Sequence, residues 1–123
     1  VETPGAANEA RGEVKGKIGD REFVLVPSFE NIANMESTLK RSFIQISNEF
    51  RQERPSFTME EVARMIYIAQ SEPKLSYNGL GKLLVKHGTL SGLAMLGKFI
   101  GVALSGQESL KEDEGNEGAK GTP

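Results

Sequence analysis

Few side chains in this sequence combine type and spacing in a way that could carry chemistry. The single histidine, His87, follows Lys86; one imidazole admits a Ser-His-Asp apparatus in principle but excludes multi-histidine metal sites. Its place at the end of an expected helix suits a cation interacting with the last backbone carbonyls. Carboxylates cluster at Glu60-Glu61 and at Glu112-Asp113-Glu114, and acid–base or metal chemistry would require them to converge on a pocket. The first pair is better explained by Thr58-Met59-Glu60-Glu61 as a capping box, with acids favoured at a helix N-terminus. The second lies in a glycine-rich tail and reads as solvated charge. Ser76, Ser91 and Ser105 lack a nucleophile elbow, and Gly79-Leu80-Gly81 lacks the third glycine and preceding strand of a dinucleotide loop. The absence of cysteine removes disulfides, thiolate metal sites and thiol nucleophiles together. No catalytic, cofactor-binding or metal-binding residue is assigned, and the chain reads as a non-enzyme.

Binding is the remaining chemistry. Gly92, Gly97 and Gly101 fall in one apolar helical stretch, and each should weaken an isolated helix by roughly 1 kcal/mol relative to alanine. Close approach of another helix, inside the domain or from a partner, would compensate. Lys82 and Lys86 are four apart and share a helix face, with Lys98 further along. Tyr77 and Phe99 are the only aromatics nearby, too few for a nucleic-acid stacking platform. Lys82, Lys86, Gly97, Lys98 and Gly101 are therefore the candidate partner-binding residues; a solvated face is the plain alternative. The charge distribution supports a binding role. The 123 residues carry −2 overall, but no Asp or Glu occurs between Glu72 and Glu108, whereas residues 107–123 hold Glu108, Glu112, Asp113, Glu114 and Glu117. The acid-free window is expected to hold the partner surface, and the acidic tail to screen it when unoccupied.

The elements that position these residues are legible from periodicity. Residues 1–12 and 107–123 are poor in large apolar side chains and read as flexible ends, leaving 13–106 as one domain. Glu13–Ile18 and Glu22–Val26 flank Gly19-Asp20-Arg21 and predict a β-hairpin, which needs a helix or another edge against it. Ser28 is an expected N-cap for a helix over about 29–40, with Phe29, Ile32, Met35 or Glu36, and Leu39 in one stripe. Further helices are predicted over about 43–53, 59–70, 77–87 and 90–104, with Gly88 as a left-handed cap of the fourth. The fold class is α+β, mostly α: a short N-terminal hairpin followed by about five short helices. Val1–Lys17 contains no signal-peptide h-region, and Thr89–Leu104 is too short, and interrupted by Lys98, to span a bilayer.

The order of segments resembles the tail assembly chaperone family of gene transfer agents and long-tailed phages. The resemblance rests on Leu25, Pro27, Ser28, Phe29 and Glu30, matching an L-x-P-[ST]-F-E step into a helix, then Met35-Glu36. It continues in Tyr77–Leu84, Gly88 and the closing Ala103-Leu104-Ser105-Gly106. Two departures stand out: Lys40 occupies a position where the family often has glycine, and the closing helices lack the acids common there. The resemblance implies a chaperone acting in the cytoplasm of a bacterial host cell, coating the tape-measure protein and recruiting tail tube subunits, with no cofactor. A homo-oligomer is compatible with this role; a structural tail (tube-like) component and a small helical regulatory or nucleic-acid-binding module are the alternatives.

Overall fold

The computed structural model describes residues 12–53 and 56–106. The expectations of flexibility for the two ends therefore concern residues almost wholly outside the described ones. Strands β1 (Val14–Ile18) and β2 (Arg21–Leu25) pair antiparallel, with Val14 opposite Leu25 and Ile18 opposite Arg21. That register leaves Gly19-Asp20 as a two-residue turn. Gly19 takes φ 61°, the conformation that two-residue hairpin turns demand at their first central position and that glycine adopts without strain. The hairpin is followed by α1 (Phe29–Leu39), α2 (Phe43–Phe50), α3 (Met59–Ala69), α4 (Tyr77–His87) and α5 (Leu90–Ser105). The α+β, mostly α architecture is as expected.

Four of the five helix starts follow local capping chemistry, whereas Thr89 makes no side-chain cap for α5. The Ser28 hydroxyl accepts from the Asn31 N–H at 3.1 Å, and Ser76 does the same for Gly79 at 3.0 Å. Thr58 and Glu61 form the expected capping box, and Ser42 with Gln45 forms a second one. The ends are shorter than periodicity predicts in three places. Helix α1 stops at Leu39 because Lys40 enters the left-handed region at φ 59°, ψ 38°, with its N–H donating to the Glu36 carbonyl. Helix α2 stops at Phe50. Helix α3 stops at Ala69 because Gln70 turns extended to bridge Leu25, with Val26 N–H donating to Ala69 O and Ser71 N–H to Val24 O, both at 2.8 Å. Gly88 also has a positive φ, 87°, but with an extended ψ of 169° in place of a left-handed cap.

Lys40 is the only described non-glycine residue with positive φ. A side chain there costs about 1 kcal/mol or more, partly offset by the unfolded-state entropy glycine would add. Lys40→Gly should raise stability by about 0.5–1 kcal/mol, read as a higher urea midpoint with unchanged slope.

Helix α3 lies at the centre, touching β2, α1, α4 and α5, while α5 lies along β1. The core combines Ile18, Phe23 and Leu25 of the hairpin with Met35, Ile46, Met65, Ile66, Leu80, Leu84, Leu96 and Phe99. Two glycines allow these elements to close. A Cβ on Gly16 would collide with the Met95 side chain, and one on Gly92 would sit 3.2–3.4 Å from Ile66, Val62 and Leu84. The stripe expected on α1 is buried only at its C-terminal end: Met35 and Leu39 are inside, Ile32 is half-buried and Phe29 is 85% exposed.

Polar side chains complete the packing. Arg41 bridges Glu49 at 3.2 Å and Glu61 at 3.1 Å, and its guanidinium lies 5.6 Å from the Phe57 ring, tying the α1–α2 connection to α3. The buried Gln70 side chain donates to Leu75 O at 2.8 Å and accepts from Leu75 N–H at 2.9 Å. Gln70→Ala would orphan both backbone groups, and should lower stability by about 1–3 kcal/mol in denaturant unfolding.

Candidate partner-binding groove

Helix α4 has two faces. Leu80 and Leu84 point into the core, whereas Asn78, Lys82, Val85 and Lys86 are exposed. Their spacing of three and four places the exposed four on one side of the helix. The first two turns of α3 run beside them. Between the two helices lies a groove of about 550 Å³, lined by Met59, Glu60 and Ala63 from α3 and by Tyr77, Asn78, Gly81, Lys82, Val85 and Lys86 from α4. Gly81 helps to keep it open, since nothing lies within 4 Å of where its Cβ would be. The apolar lining is unusually exposed for large side chains, 73% for Val85 and 41% for Met59.

The charge of this groove is one-sided. Glu60 is already engaged, accepting from Arg64 at 2.9 and 3.3 Å. That hydrogen bond, with a smaller contribution from Tyr77, raises the Arg64 pKa further above its ordinary value. The same guanidinium lies 4.9 Å from the Tyr77 ring centre. Lys82 and Lys86 form no ion pair with any described residue. An apolar floor with two ammonium groups along one wall can take an amphipathic segment that carries carboxylates beside its apolar residues.

The five candidate binding residues fall into two sets. Lys82 and Lys86 line the groove; Gly97, Lys98 and Gly101 do not, lying instead on α5. The close helix approach expected of the glycine face occurs at Gly92. A Cβ on Gly97 would have Phe50 as its nearest neighbour at 4.0 Å, and one on Gly101 would meet nothing within 4 Å. Met59 and Val85 were not singled out from the sequence; the one available signal was an apolar Val85 between Lys82 and Lys86 on an otherwise polar face.

The residues weighed for chemistry have structural roles. Glu61 caps α3 and pairs with Arg41, Ser76 caps α4, and the Ser105 hydroxyl donates to the Gly101 carbonyl at 2.9 Å. His87 packs over the hairpin turn, where a Cβ on Gly19 would strike its imidazole. Among the described residues no three His, Asp or Glu side chains are grouped to hold a metal ion; Glu112-Asp113-Glu114 lie outside them. No described helix alone is long and apolar enough to cross a membrane; α4 and α5 pass such a test only jointly, with a bend of 119° between them. Their apolar residues Leu80, Leu84, Leu96 and Phe99 are buried in the core.

No family model, curated protein or solved structure matches the chain.

Proposed function

We propose that this chain is a phage-type tail assembly chaperone, a non-enzymatic adaptor of the bacterial host cytoplasm that binds the tape-measure protein and recruits tail tube subunits during tail morphogenesis. The observation that carries this reading is the lysine-rimmed apolar groove between α3 and α4. A groove of this kind accepts one face of an amphipathic helix, and a tape-measure protein is a long helical rod that offers such faces repeatedly. Individually weak contacts repeated along one rod hold many small adaptors through high local concentration. The resemblance in Leu25–Glu30 and in the closing helices supplies the identity of the rod.

The test is co-expression with the tape-measure protein of the same genome. Several copies of the chain should elute with each rod, and mass spectrometry of finished tails should find the chain missing. Stoichiometric presence in finished tails would favour a structural tube-like subunit and sink the chaperone reading, as would a tape-measure protein that stays soluble and unbound in the presence of this chain.

A further inference from the structure

The groove has two lysines with no ion pair among the described residues, and the chain's own sequence contains a segment of matching chemistry. Residues 107–123 carry five carboxylates and a single large apolar residue, Leu110, placed between Glu108 and Glu112-Asp113-Glu114. They follow directly on α5, which ends at Ser105. Glu112 and Glu117 lie seven and twelve residues beyond Ser105 and can stand up to about 23 and 40 Å from it when extended, against a domain radius of gyration of about 13 Å, so the acidic stretch can reach across the surface to the groove. The spacing also fits. In an extended backbone Leu110, Glu112 and Glu114 share one side at intervals of about 6.6 Å, and Lys82 and Lys86 are about 6 Å apart along the axis of α4. The two carboxylates can then meet the two ammonium groups along the wall of the groove.

We infer that residues 107–123 occupy the α3–α4 groove of the unbound protein, so that a partner must displace the chain's own acidic segment to bind. This rests on the reading of the groove as the partner site, and it adds a regulatory role for the acid-free window and the acidic segment beside it. The attachment gives the segment an effective concentration of order mM at the groove, enough to populate a contact too weak to persist between separate molecules.

The experiment uses the full chain. With no native cysteine, Ser109→Cys provides the sole attachment point for a nitroxide label, and the amide signals of Met59, Lys82, Val85 and Lys86 report its proximity. At low ionic strength these signals should lose at least about half their intensity; at about 0.5 M salt, where charges are screened beyond a few ångströms, they should recover. The Lys82→Glu/Lys86→Glu variant, altered only at exposed positions, should also recover them. So should Glu112→Gln/Asp113→Asn/Glu114→Gln. Unchanged intensities at low salt would overturn the inference, as would broadening centred elsewhere. Broadening that transfers to an unlabelled, isotope-enriched chain mixed with a spin-labelled one would assign the groove to a second copy and equally overturn it. The two readings fail separately. Tape-measure binding without nitroxide broadening removes the intramolecular occupant alone, and broadening without tape-measure binding removes the chaperone reading alone.

Discussion

Phe99→Ala should destabilise the protein by about 3–5 kcal/mol, the usual range for deleting a buried aromatic ring. Phe99 has no exposed surface, and it lies on the inward side of the helix that packs along β1 and against α3. The hairpin is the element most dependent on that contact, since two strands alone are marginal in water. A small domain has about 5–15 kcal/mol in total, so about a fifth or more of its stability is at stake. For a domain of this size each kcal/mol moves Tm by about 4–8 °C, and the variant should melt at least about 12 °C lower. Phe99→Leu keeps most of the volume and should lose no more than about 1.5 kcal/mol. Its neighbour Lys98 is exposed, and Lys98→Ala should stay within about 0.5 kcal/mol of the parent. If Phe99→Ala were as mild as Lys98→Ala, α5 would not be docked on the hairpin as described.

The contrast between Phe99 and Phe29 shows how far the fold could be read in advance. Phe29 belongs to the stripe expected of α1 yet is 85% exposed, whereas Phe99, weighed only as an aromatic near the lysines, is fully buried. Periodicity reports which side of a helix is apolar; it does not report where along the helix the neighbouring element ends. Helix starts were more legible because a cap is a local event between residues three apart, as at Thr58 and Glu61. Helix ends were less so, because α3 ends where Gln70 pairs with Leu25, a partner far away in sequence.

Glycines had the same asymmetry. Gly97 and Gly101 attract attention by spacing, but Gly16 and Gly92 are the positions against which Met95 and the side chains of α3 and α4 pack. A glycine in the sequence records that a side chain is missing; what lies opposite is a property of the assembled chain. For the groove, Lys82 and Lys86 were legible as an i, i+4 pair on an expected helix. Met59 was not, because it belongs to α3 and becomes a neighbour of α4 only through the packing of Ala63, Leu80 and Leu84 into the core.

Val85→Asp should separate binding from folding. Val85 is 73% exposed, so its stability effect should stay within about 0.5 kcal/mol. Its effect on binding should be much larger, for two reasons that act together. An apolar partner side chain seated on the groove floor would have to desolvate a carboxylate, a cost of at least 1–2 kcal/mol, or about tenfold or more in affinity. The new carboxylate would also stand three residues from Lys82 and one from Lys86, lowering the positive charge available to an acidic partner. Both effects weaken capture of the tape-measure protein, measured by titration into the purified chain. Lys98→Glu makes the complementary change on α5, at a residue that does not line the groove, and should leave that affinity within about twofold, since an exposed charge that makes no direct contact with the partner is weakly felt in salt solution. The opposite pattern, a silent Val85→Asp and a damaging Lys98→Glu, would move the binding face from the α3–α4 groove to the open side of α5. There Gly97 and Gly101 would resume the interface role that their spacing first suggested.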